Sequence, residues 1–173
     1  MAISLYDGSV LSYLQTLDAV GGFLERGLSH FRDNNIDPES IVETRLYSDM
    51  LPFRFQVQSI VHHSVGAIEG IKNGVFRPPH DLPTHDYPAL QSLIAEARDT
   101  LKRLTPDAIN AHEGAEVIFE IGKSRMKFTA EEFLLSFSLP NFYFHTTTAY
   151  DILRSKGVAL GKRNYLGRLR LST

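Results

Sequence analysis

The sequence contains no cysteine. Disulfides, thiolate metal sites and cysteine nucleophiles are therefore excluded. The same absence fits a reducing compartment. Tryptophan is missing too, so bulky core material must come from 11 Phe and 7 Tyr. No run of about 18 apolar residues occurs, which leaves no helix to span a bilayer. The opening Met1-Ala-Ile-Ser-Leu-Tyr-Asp7 has neither a basic stretch nor a long apolar one. It does not read as a signal peptide, and a cytoplasmic location is expected. Positive charge is not in surplus either: 18 Lys and Arg stand against 20 Asp and Glu, a formal charge of −2. Nucleic-acid binding needs a net basic face. Lys162, Arg163, Arg168 and Arg170 make the C-terminal end locally basic, but too thinly for such a role. Neither nucleic acid nor membrane is expected as a partner. Several catalytic signatures are absent as well: His-Glu-x-x-His, a Walker loop, Gly-x-Ser-x-Gly and a dinucleotide glycine motif.

What remains is 173 residues with 43% apolar and 22% charged side chains. That is enough to bury a core and fits a single domain over residues 1–173. From Leu5 to about Phe31, Val10, Leu14, Leu17, Phe23, Leu24 and Leu28 recur at helical spacing. Gly21-Gly22 should bend this helix near its middle. Asp37-Pro38-Glu39 reads as the start of a short helix. Pro52 opens a second long helix reaching about Lys72, with Asn73-Gly74 as its stop. The segment Phe76 to Pro88 holds four prolines and predicts an extended crossover. A third helix follows, from about Tyr87 to Leu104. Val117, Phe119 and Ile121 alternate, Gly122-Lys123-Ser124 turns, and Met126 and Phe128 alternate again, which predicts a hairpin. Thr129-Ala-Glu-Glu132 is a capping box that opens the last long helix, ending near Gly157. Pro140 inside it should free the Ser136 carbonyl and kink the axis. The expected fold class is all-α: an antiparallel four-helix bundle with one short β-hairpin between helices three and four.

The last helix carries the candidate site. At 100° per residue, Leu134, Phe137, Asn141, His145, Thr148 and Ile152 share one stripe, with Phe133 and Phe144 on its flanks. Asn141 and His145 are polar groups set one turn apart in an apolar face. Buried, they need partners. One reading is a metal or ligand pocket lined also by Phe137, Phe144 and Thr148. The other is an Asn–His pair bonded to each other to fix register. On the second helix, a helical wheel places His63 at the edge of the apolar stripe and His62 toward solvent. His80 and His85 sit in the proline-rich segment, each followed by Asp. Nothing local fixes their geometry.

The segment Leu139-Pro-Asn-Phe-Tyr-Phe-His145, continuing to Lys162, resembles the C-terminal signature of a bacterial family of unknown function. That family lies within the DinB/YfiT-like superfamily of inferred metalloenzymes. Asp49-Met-Leu-Pro52 and Gln56-Val-Gln58 resemble its entry into helix two. The resemblance implies a four-helix bundle, commonly a homodimer. It also implies a divalent nickel or zinc ion held by one histidine of helix two and a His-x-x-x-His pair of helix four. Some members of that superfamily are thiol-dependent transferases or hydrolases. In this sequence the second histidine of the pair is His145, the first position holds Asn141, and the helix-two ligand falls on His63, with His62 as the alternative. An amide is a poor ligand for a borderline metal. The expectation is therefore a degenerate metal or small-molecule pocket centred on His145 and Asn141, its metal weakly held or absent. The alternative is a divalent-metal-dependent enzyme of hydrolase or thiol-transferase type.

Overall fold

The computed structural model describes residues 3–79 and 82–171. The chain opens with a single turn, α1 (Leu5–Gly8), capped by Ser4, whose Oγ accepts from the Asp7 N–H at 3.1 Å. The long helix α2 (Val10–Asp33) follows and buries Val10, Tyr13, Leu17, Val20, Phe23, Leu24 and Phe31. Gly21 and Gly22 do not interrupt it. Gly27 has a packing role: a Cβ there would lie 2.5 Å from Tyr87 Oη. The Tyr87 hydroxyl uses that opening to donate to the Leu24 carbonyl at 2.8 Å.

After one turn of helix, α3 (Glu39–Val42), the second long run is built of three pieces. They are α4 (Phe53–Val61), a π-helical segment (His62–Gly66) and α5 (Ala67–Asn73). Gly74 closes it in the left-handed conformation, φ 70°. Strand β1 (Val75–Phe76) comes next, then α6 (Tyr87–Lys102), whose cap Asp86 accepts from the Ala89 N–H at 2.8 Å. Helix α7 (Pro106–Asn110) leads to the predicted hairpin, β2 (Glu116–Ile121) and β3 (Ser124–Thr129), with Val117 opposite Phe128 and Phe119 opposite Met126. The capping box forms as expected, opening α8 (Ala130–Glu132). A second π-helical segment (Phe133–Ser138), α9 (Leu139–Ser155) and a short α10 (Lys162–Leu166) complete the chain.

The molecule is thus mostly helical. Helix α2 packs on α6 and α9, and α4 packs on the same two. Among the described residues no helix is long and apolar enough to cross a membrane. Two features depart from the all-α expectation. The hairpin gains a third strand, β1, which pairs parallel to β2 with Val75 opposite Ile118. A two-residue strand is too short to show an alternation. The proline also acts differently from the expected interior kink. Pro140 stands in the first turn of α9, directly after the π segment. A π turn bonds i to i+5 rather than i to i+4. The wider loop absorbs the missing N–H and the bulk of the ring, and Asn141 Nδ2 donates to the Phe137 carbonyl at 2.8 Å beside it.

The two π segments are fastened to each other. Ser138 Oγ, fully buried, donates to the His63 carbonyl at 2.7 Å. The Tyr13 hydroxyl of α2 lies 2.8 Å from the same oxygen. Since the serine proton is committed to the carbonyl, the tyrosine donates. Removing Ser138 would strand a buried phenol and a buried carbonyl together. Ser138→Ala should therefore cost about 1–3 kcal/mol, and Tyr13→Phe, which strands nothing that lacks another partner, about 1 kcal/mol. Thermal denaturation checks the order of the two: about 2–4 °C is expected per kcal/mol in a chain of this length. Equal losses would show that the bridge does not span the segments as described.

Candidate functional site

Both π segments face one cavity of ≈ 210 Å³. Helix α4 supplies Phe55 and Ser59 to its wall, the first π segment His62 and His63, the second Phe137, and α9 Asn141 and His145. The strands add Phe76 and Phe119, and Pro78 and Pro79 close one side. The histidines and Asn141 singled out in the sequence therefore meet around one space, with Phe137 among them. The wheel's assignment of His62 to solvent does not hold. A π turn fits an extra residue into the helix, so two adjacent residues both reach the wall. The His62 and His63 rings are 5.4 Å apart, and His63 lies 5.7 Å from His145 with ring planes 17° apart. His62 also rests on Phe76, 4.5 Å between centroids.

The other anticipated lining residues lie elsewhere. Phe144 is 59% exposed and touches His145 only from outside the cavity, edge-on at 5.3 Å. It sits a further 100° round the helix from the cavity-facing line. Thr148 is buried, but beyond the cavity, and its Oγ1 donates to the Phe144 carbonyl at 2.8 Å. The Asn141–His145 pair is not formed either. Asn141 bonds within its own helix, and His145 Nδ1 meets Gln56 Oε1 at 2.7 Å. Of the loop histidines, His85 Nδ1 accepts from Gln58 Nε2 at 2.8 Å, and His80 lies outside the described residues.

Gln56 fixes the state of His145. Its Nε2 donates to the Leu51 carbonyl at 2.8 Å, which orients the amide. Its Oε1 must then accept, so His145 Nδ1 carries the proton and Nε2 holds the lone pair. Gln56 was not among the anticipated site residues. The available signal was its position: a glutamine beside Phe53, Val57 and Ile60 on a buried helix, 3% exposed. What Gln56 bonds to lies 89 residues away, which the sequence does not display.

All three imidazoles are neutral at ordinary pH. Burial, reinforced by His62 and His145, pushes His63 down to about 3. Burial and then His62 push His145 down to about 4. Burial lowers His62 as well, opposed by the Arg77 backbone. Two ring nitrogens, His62 Nε2 and His63 Nδ1, are buried with no hydrogen-bond partner among the described residues. Unpartnered buried polar atoms are rare in native structures and call for an explanation, such as a bound water, ion or ligand. Among the described residues no charged side chain lines the cavity.

Neutral imidazole is the donor that zinc and nickel prefer, so the chemistry of the wall fits such an ion. The geometry fits it less closely. Among the described residues no three histidine or carboxylate groups gather tightly enough to hold a metal. Zinc–nitrogen bonds are about 2.0–2.1 Å. The rings would have to turn toward a common point, with Asn141 Oδ1 or a ligand atom filling the remaining position.

A family model described as a domain of unknown function, DUF1993, matches residues 5–166. The crystal structure of a DinB family member protein from Shewanella denitrificans is similar at a TM-score of 0.77 and 25% identity. The alignment covers 98% of this chain and 95% of that one. No curated protein matches the sequence.

The depressed imidazoles make the fold acid-sensitive in a defined window. The unfolded chain binds protons near pH 6.5, before the folded one does. Stability is therefore full above about pH 6.5 and declines as the pH falls toward 4 and then 3, where His145 and His63 titrate. Each contributes a slope of up to about 1.4 kcal/mol per pH unit. Urea midpoints of chelator-treated protein between pH 7 and 5 should fall, and His145→Gln should make the fall shallower. A flat profile would contradict the burial of these rings.

Proposed function

The chain belongs to the DUF1993 family, and we propose that it is a DinB-like four-helix bundle whose interior cavity binds a small molecule through neutral imidazoles. The observation that carries this reading is the convergence of His62, His63 and His145 on one cavity, two of them with orphaned buried nitrogens. Among the described residues such a wall presents no charge, and at His145 Nε2 it presents a lone pair. It favours ligands that donate N–H or O–H groups, or a cation, and disfavours carboxylates and phosphates, which need cationic partners. Ser59 and the Asn141 amide add neutral hydrogen-bonding groups. Phe55, Phe137 and Phe119 supply apolar surface beside them, next to which a hydrogen bond is stronger than in bulk water. The homodimer implied by the resemblance belongs to this proposal; the exposed Phe144 and Tyr143 of α9 are apolar groups that a second copy would cover.

A second reading is a divalent-metal-dependent enzyme of hydrolase or thiol-transferase type. Gln56 favours it. Metal-binding histidines commonly give their other ring N–H to a fixed acceptor, and His145 does so. His145 Nε2 and His63 would hold zinc or nickel, with Asn141 or His62 as the third donor. What such an ion supplies when bound is Lewis acidity toward water or a thiol. The donor set points to a weakly held ion in either reading.

Metal content after purification without added metal, together with thermal shifts, separates the readings. At a hundredfold excess over its dissociation constant, zinc or nickel should add about 2.7 kcal/mol, or roughly 5–10 °C. His145→Ala should abolish that shift. With neither metal content nor a shift, the metal reading fails. If small donor molecules also give no His145-dependent shift, the ligand reading fails with it.

A further inference from the structure

The imidazole cavity has a neighbour. A second cavity of ≈ 370 Å³ lies on the other side of His62, and His62 and Pro79 belong to the walls of both. Its lining is mainly apolar, with Val61 and Val65 from the second helical run and Leu93 from α6. One polar group in that wall is unusual. Gln58 is 5% exposed, and its Nε2 is spent on the Pro83 carbonyl at 2.7 Å and on His85 Nδ1 at 2.8 Å. Its Oε1 is buried with no partner among the described residues. An orphaned amide oxygen is a costly thing to keep in an apolar wall unless a ligand donor meets it.

Size points the same way. Small-molecule sites enclose roughly 300–1,000 Å³. At ≈ 210 Å³ the imidazole cavity falls short of that range, and the second cavity makes up the difference. We infer that the two cavities are one bipartite site, occupied by an amphiphilic ligand. Its hydrogen-bond-donating head sits among His63, Asn141 and His145. Its apolar tail passes His62 into the second cavity and carries an N–H or O–H that donates to Gln58 Oε1. His62 is the divider between the halves. Gly66 leaves room for it there: a Cβ at that position would come within 3.1 Å of His62 Nδ1.

This inference rests on the ligand reading above, and the test separates the two. Straight-chain hydroxamic acids, from acetohydroxamic to octanohydroxamic acid, are titrated by calorimetry. Their heads donate N–H and O–H to imidazoles and also chelate an ion if one is bound. Affinity should rise roughly fourfold per added methylene until the second cavity fills. Val65→Phe and, from the opposite wall, Leu93→Phe should each erase the gain with length while acetohydroxamic acid binds as before. A hydroxyl walked along the hexanoyl tail should have one favoured position, and Gln58→Met should remove that preference. Acetohydroxamic acid binding in a His145-dependent way, with no gain from a longer tail in the unmodified protein, would overturn the bipartite site and leave the ligand reading intact. A length gain that both phenylalanine variants retain would overturn it too. No binding by any member would overturn both.

Discussion

A single serine hydroxyl ties together the parts on which the site depends. Ser138 Oγ joins the second π segment to the His63 carbonyl of the first, and Tyr13 supports it from α2. Each π turn disturbs the regular ladder of its helix and would be unfavourable alone. Fastened together inside the core, they hold three imidazoles around one space. Burial pushes the Tyr13 phenol up, so it remains a neutral donor throughout the ordinary pH range.

Neutrality is the second organising feature. The three rings share an aromatic wall that, among the described residues, holds no carboxylate to stabilise a charged imidazolium. His62 also discourages protonation of His63 and His145, and His145 that of His63. The site thus offers neutral ring nitrogens, with a lone pair fixed at His145 Nε2 that suits a donor molecule or a cation. Gln56 makes this specific at His145 by accepting the hydrogen bond from the Nδ1–H and leaving Nε2 free. Asn141, where the resemblance would place a histidine, weakens any metal site but leaves room for a neutral ligand.

Much of this was legible before any coordinates. The capping box at Thr129, the stop at Gly74, the hairpin and the start of α6 follow from local chemistry, and each formed where expected. His145, Asn141 and Phe137 were read from one helical stripe. Thr148 was read from the same stripe and Phe144 from its flank, yet neither lines the cavity. A wheel gives the direction of a side chain but not how far along the axis the cavity extends. His62 failed for another reason: the wheel assumes 100° per residue, and the π segment breaks that assumption at this residue.

Periodicity, capping and proline chemistry act over a few residues, so the sequence by itself determined the long helices, the hairpin and the inward aim of His145. The choice of Gln56 as its partner, the fastening of Ser138 to the His63 carbonyl and the turn of His62 toward the cavity were decided only when the helices packed. Those contacts join residues 75 to 89 positions apart or depend on a helix widening that tertiary contacts hold in place. A contact between distant segments has no local signature, because its energy exists only after both have been brought together.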